Sequence, residues 1–127
     1  MKFTATKNLL FFVLVSLFAP FSMAADNTSA VQEIAGVVAG MNHFASDEQK
    51  ARLMELSEDE SLADGIRRMA STVANIQHFP NDEGKELMAR IIANEAAPER
   101  GKTLARIIAG FAHMVSAEDK ATLQAML

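Results

Sequence analysis

The sequence predicts an all-α fold of three tandem helical hairpins, and three observations support this prediction. First, a similar 13-residue segment occurs three times at a spacing of 35 residues. Second, the only histidines of the chain occupy the same place in each copy: His43, His78 and His113. Third, apolar residues recur at helical spacing, and no stretch of four or more residues alternates with the period of a strand. We therefore expect six helices that share one core, as a small bundle or a short solenoid.

The first 24 residues have the organisation of a secretory signal peptide. Lys2 and Lys7 provide positive charge, an apolar run follows at Leu9–Ala19, and small residues precede a cleavage site after Ala24. The apolar run is shorter than the roughly 20 residues that span a membrane. We therefore expect this segment to be removed, which leaves a periplasmic or secreted domain, residues 25–127, with no membrane span.

The composition limits the partners of this domain. Removal of the two lysines of the leader leaves ten basic residues against sixteen acidic ones, a formal charge of −6. Such a surface is unsuited to nucleic acid, because phosphates require basic contacts, whereas a basic protein is a suitable partner. The chain contains no cysteine, so its stability must come from packing and not from disulfides.

The long helix of each hairpin is predicted from its apolar face. The first begins near Thr28 and is expected to end at His43–Ala45, and the next two are expected at Leu62–Phe79 and Pro98–Met114. Their apolar faces follow steps of three and four residues: Val31, Ile34, Val38 and Met41, widened by Val37 and Phe44; Leu62, Ile66, Met69, Val73, Ile76 and Phe79; Leu104, Ile108, Phe111 and Met114. Gly101 occupies the position at which the second helix has an isoleucine. The apolar face of the third helix is therefore weaker at its start.

The short helix of each hairpin is predicted from its first turn. Ser46 and Gln49 have the spacing of a capping box, and Asn81 and Ser116 are the corresponding caps of the next two short helices. Two acidic residues follow each cap, where the helix dipole favours negative charge: Asp47 and Glu48, Asp82 and Glu83, Glu118 and Asp119. Turns of two or three residues then join long and short helices as antiparallel pairs.

The repeated histidines are the candidate metal ligands: His43, His78 and His113. Neutral imidazole binds transition metals, but a zinc ion needs three or four ligands at about 2.0–2.1 Å. Equivalent positions of an open stack are roughly 10 Å apart, so the rings can share an ion only if the hairpins close around a pseudo-threefold axis. We favour the alternative that each ring lies at a helix end, where it bonds the last free carbonyls and complements the helix dipole.

Other residue groups have simpler interpretations. The repeated acidic pairs lack the glycine-containing loop of a calcium site, and helix starts account for them. The methionines are expected to fill the core. No G-x-S-x-G motif, cysteine nucleophile or phosphate-binding loop occurs, so we predict no catalytic residue, no cofactor and no enzymatic activity.

The leading functional hypothesis is an exported helical-repeat protein that presents a surface to a protein partner, as an adaptor, an inhibitor or an immunity-type factor. Helical repeats build extended binding surfaces, and the acidic charge suits a basic partner. The alternative hypothesis is a metal-binding or small-ligand-binding protein that uses the three repeated histidines.

Overall fold

The computed structural model describes residues 27–127, and the signal peptide predicted at residues 1–24 lies outside this range. The described residues form six helices and no strands, which confirms the all-α class. The helices are α1 at 27–40, α2 at Asp47–Glu58, α3 at Asp64–Ala74, α4 at Asp82–Ala93, α5 at Glu99–Ala109 and α6 at Ala117–Gln124. None of these helices is long and apolar enough to cross a membrane.

The helices pack in pairs around one apolar core, as in a small helical bundle. Helix α2 lies against α3, α4 lies against α5, and α3 also contacts both α4 and α5. Most of the predicted apolar faces point into this core, and their central members are completely buried: Ile34, Val38, Val73, Ile76, Leu104 and Ile108. The end of the chain joins the same cluster through Leu123 and Met126, so α6 is docked on the bundle.

The long helices end earlier than the apolar spacing predicts. Helix α1 ends at residue 40, α3 ends at Ala74 and α5 ends at Ala109, so the connections to the short helices have six or seven residues. The predicted turns of two or three residues are therefore wrong. The apolar spacing continues past each helix end because the first loop residues are also buried: Met41, Ile76 and Phe111.

Three residues that the helical spacing places on the apolar faces are exposed instead. Phe44 is 53% exposed, Phe79 is 51% exposed and Met114 is 58% exposed. Each lies in a loop beyond the end of its helix, so the helical period no longer decides which way its side chain points. The predictions that Phe44, Phe79 and Met114 belong to the core are wrong.

The starts of the short helices are as predicted. The Ser46 hydroxyl accepts from the backbone N–H of Gln49, and the Gln49 side chain accepts from the Ser46 N–H, which completes the capping box. Asn81 and Ser116 accept from the third residue of their helices in the same way. Acidic residues occupy the first turn of all three short helices, where free N–H groups attract them.

One ion pair joins α1 to α2. Arg52 reaches back across the helix pair and bonds both carboxylate oxygens of Glu33, at 2.6 and 2.9 Å. The hydrogen bond from Arg52 lowers the pKa of Glu33, and the charge of Arg52 acts in the same direction against partial burial. The same guanidinium also bonds Glu55 within α2.

We expect the Glu33 carboxylate to stabilise the fold only when it is ionised. Because its pKa is lower in the folded state, this contribution is present above its ordinary pKa of 4.5 and is lost as the pH falls through the folded-state value. Both side chains are largely exposed, so Glu33→Gln should cost less than about 1 kcal/mol at neutral pH. Urea unfolding at a series of pH values from 7 downward measures this difference, which should shrink as the pH falls through the folded-state pKa of Glu33. Glu55→Gln leaves the interhelical pair intact and is the control. A Glu33→Gln effect that persists unchanged at low pH would contradict the assignment.

Candidate functional site

The loops that follow the three long helices meet at one end of the bundle. Each loop carries one repeated histidine, and His43, His78 and His113 lie side by side; we call them the histidine triad. Their imidazole rings contact one another edge to face, with ring centres 4.8, 5.1 and 5.2 Å apart. In an open stack, equivalent side chains would be roughly 10 Å apart. The three loops therefore form a closed arrangement, which the sequence left open.

Backbone hydrogen bonds join the three loops in a cycle. The N–H of His43 donates to the carbonyl of His113 at 2.6 Å, that of His78 donates to His43 at 2.8 Å, and that of His113 donates to His78 at 2.7 Å. Every loop therefore provides one donor and one acceptor at its histidine. Since the cycle needs all three loops, the position of each ring depends on the assembly of the whole domain.

The triad residues also have an unusual backbone conformation. Their φ angles are 70°, 68° and 64°, and among residues 27–127 they are the only non-glycine residues with positive φ. In the first and third loops, the residue after the histidine donates its N–H to the carbonyl of the residue before it, which closes a tight three-residue turn. A left-handed backbone costs a residue with a side chain on the order of 1–3 kcal/mol. The surrounding structure must therefore hold all three histidines in place.

The polar atoms of the rings have few partners in the described part of the chain. Nδ1 of His43 bonds Oδ1 of Asn42 at 2.7 Å. Nδ1 of His78 and Nδ1 of His113 are 3.3 Å apart, within hydrogen-bonding distance. The His43 side chain is partly buried, whereas His78 and His113 are exposed. The open side of the triad thus faces solvent.

The interpretation of the histidines as helix-end residues is wrong. Each lies three or four residues beyond the end of its long helix, and the rings bond one another and Asn42, not the last helix carbonyls. The tertiary hydrogen bonds between loops direct the backbone N–H of each histidine toward the next loop. This brings the three side chains together instead of distributing them over separate helix ends.

Exposed apolar residues surround the histidine triad. Phe44, Phe79 and Met114 each follow a triad histidine and are more than half exposed, and we call them the apolar trio. The ring of Phe79 lies 5.0 Å from the ring of His113, and Lys50 extends its ammonium over Phe44 at 5.4 Å. Large apolar side chains that remain exposed around a polar cluster are typical of binding surfaces.

The sequence patterns do not predict two features of this site. Asn42 was not predicted to support a histidine, because only the folded loop shows where its amide points. The apolar trio was assigned to the core because its members continue the helical spacing. A signal was nevertheless present, since all three trio members directly follow a repeated histidine.

Comparisons with protein-family models, with curated proteins and with solved structures found no match to this chain.

We expect glycine to be better tolerated than alanine at the triad positions. His78→Gly should be about 1 kcal/mol more stable than His78→Ala, because only glycine adopts positive φ without a steric cost. Unfolding in urea measures the difference. The neighbouring Gln77 has no positive φ, so at that position glycine should be the less stable of the two variants. Equal stability of the two His78 variants would contradict the strained conformation.

Proposed function

We propose that this protein binds one divalent transition-metal ion through the histidine triad. The observation that carries the proposal is the distance of 3.3 Å between Nδ1 of His78 and Nδ1 of His113. A tetrahedral ion at about 2.0–2.1 Å from its ligands separates two ligand nitrogens by about 3.3 Å. Two of the three rings therefore already have the spacing that such an ion requires.

His43 provides the third ligand of the proposed site. One ring nitrogen from each triad residue lies within 4.8 Å of the other two, and the exposed rings of His78 and His113 can rotate closer without disturbing the core. Asn42 accepts the Nδ1–H of His43, which leaves the lone pair of Nε2 available. Hydrogen bonds of this kind orient histidines that bind metals and fix their tautomers.

The ligand set favours a particular class of ion. Imidazole suits zinc, copper and nickel, whereas calcium and magnesium prefer oxygen ligands. A four-coordinate ion would keep one position for water or another ligand, and this position would face solvent because His78 and His113 are exposed. The export predicted from residues 1–24 would place this site in the periplasm or outside the cell.

We expect zinc, nickel or copper to bind with a stoichiometry of one ion per chain in isothermal titration. The variant His78→Asn should lose at least about 100-fold in affinity, since loss of a ligand exceeds the 10–100-fold cost of losing a supporting partner. Asparagine is chosen because it tolerates positive φ, so the variant removes the imidazole with little added strain. Asn42→Ala should weaken binding by about 10–100-fold.

Metal binding should also stabilise the folded protein. An ion at 100 times its Kd should add about 2.7 kcal/mol to the free energy of unfolding of the wild type, and it should add little to His78→Asn. The control is Phe44→Leu, which alters the surface beside the triad and keeps all three imidazoles. Equal affinities for the wild type and His78→Asn, or no saturable binding of any of the three ions, would refute the proposal.

A second candidate function is recognition of a protein partner by the same end of the bundle. The observation that favours it is the apolar trio, which exposes three large side chains beside the triad. Acidic residues in the first turns of the short helices lie close by in sequence, so a partner with a basic rim around an apolar contact would fit. An adaptor or inhibitor would act through such a surface.

A pull-down from periplasmic extract at several salt concentrations distinguishes the two candidate functions. For recognition through the apolar trio, the double variant Phe44→Ser, Phe79→Ser should lose the captured partner, whereas His78→Asn should retain it. Capture that survives the loss of both phenylalanines would rule out this surface as the contact.

A further inference from the structure

A cavity lies at the end of the bundle opposite the histidine triad. It has a volume of about 620 Å³ and is bounded by the start of α1, the starts of α3 and α5, and the end of α4. Pockets that bind small molecules have volumes of about 300–1,000 Å³. We call this space the basal cavity, and its apolar wall includes Val31, Ile66, Met69, Leu87, Ile91 and Gly101.

One position in the wall of the basal cavity has no side chain. Val31, Ile66 and Gly101 are 35 residues apart in the chain, and all three line the cavity. A Cβ atom placed on Gly101 would have nothing within 4 Å beyond its chain neighbours and the backbone of its own helix, although the residue itself is buried. The third position therefore leaves open the space that a branched side chain occupies at the other two.

The mouth of the basal cavity carries positive charge. Arg68, Arg90 and Arg100 line it together with one aspartate, Asp64. Glu86 bonds Arg90 from outside the lining, so these five side chains have a formal charge of +1. The whole chain, in contrast, has a formal charge of −4. A concentration of arginine beside an apolar wall in an acidic protein is complementary to a ligand that has an anionic head and an apolar body.

The arginines retain donors for such a head group. Within residues 27–127, Arg68 bonds Asp64 through Nε, Arg90 bonds Glu86 through one Nη, and Arg100 bonds the carbonyl of Met126 through one Nη. A guanidinium has five N–H donors in a planar fork that matches a carboxylate. Each arginine thus has further N–H groups available to an anion.

We propose that the basal cavity binds a carboxylate with an unbranched hydrocarbon chain, with the chain against the apolar wall and the carboxylate at the arginines. This site is independent of the proposed metal site. The cavity lies at the first turns of α3 and α5 and the triad lies beyond their last turns, and these helices have 11 residues each. Their length separates the two sites by about 16 Å.

The test uses sodium decanoate and its uncharged analogue decanol, each below the concentration at which it aggregates. Isothermal titration should show one decanoate per chain and at least tenfold weaker binding of decanol, because the alcohol lacks the charge-assisted bonds to arginine. In two-dimensional amide NMR, decanoate should shift the backbone resonances of Gly65 and Gly101 and leave those of the histidine triad unchanged.

Two variants locate the site. Gly101→Ile places a branched side chain in the cavity and should reduce decanoate affinity at least tenfold. Gly40→Ile is the control for the introduction of isoleucine at a helical glycine. Gly40 is exposed at the other end of α1, and its Cβ atom would have nothing within 4 Å beyond its own helix backbone and chain neighbours. The double variant Arg68→Gln, Arg90→Gln should weaken decanoate binding and leave decanol binding unchanged.

The outcomes distinguish this proposal from the metal site. Decanoate affinity should be the same in the wild type and in His78→Asn. Unchanged decanoate binding to folded Gly101→Ile, or equal affinities for decanoate and decanol, would overturn the proposal. If Gly101→Ile does not fold, the NMR shifts and the arginine double variant decide: shifts elsewhere in the protein, or no effect of the double variant, would overturn it.

Discussion

The cycle of three backbone hydrogen bonds between the histidine loops is the interaction on which this structure depends. It can form only when all three loops reach the same end of the bundle, and it directs the N–H of each histidine toward the next loop. The same cycle keeps three residues with side chains at positive φ. Strain of this kind persists only where the surrounding structure over-determines it, and it concentrates at functional sites. The contact between the imidazole rings follows directly from this backbone arrangement.

The hydrophobic core holds the start of each loop that takes part in the hydrogen-bond cycle. The last buried residues of the three apolar faces, Met41, Ile76 and Phe111, lie two residues before the triad histidines and anchor each loop to the bundle. On the other side of the histidines, side chains of Ser46, Asn81 and Ser116 cap the short helices and restart regular structure within a few residues. Each loop is therefore fixed at both ends, which limits its flexibility and keeps the three imidazoles in contact.

The two ends of the bundle differ in chemistry although the same long helices connect them. The loop end combines exposed imidazoles with exposed phenylalanine and methionine, a combination suited to a metal ion or to a protein surface. The opposite end has an apolar cavity with arginines at its mouth. Gly101 contributes to this cavity, because it lacks the side chain that Val31 and Ile66 provide. A single core thus supports two chemically different surfaces at its two ends.

The sequence by itself determined the helical class, the buried centres of the long helices and the caps of the short ones, because local periodicity and capping chemistry act over a few residues. It also singled out His43, His78 and His113 through their spacing. Only the tertiary structure decided where the long helices end, that Phe44, Phe79 and Met114 face solvent, and that the histidines converge. These features depend on hydrogen bonds between loops 35 and 70 residues apart, and no local pattern records whether successive hairpins stack in a row or close on one another.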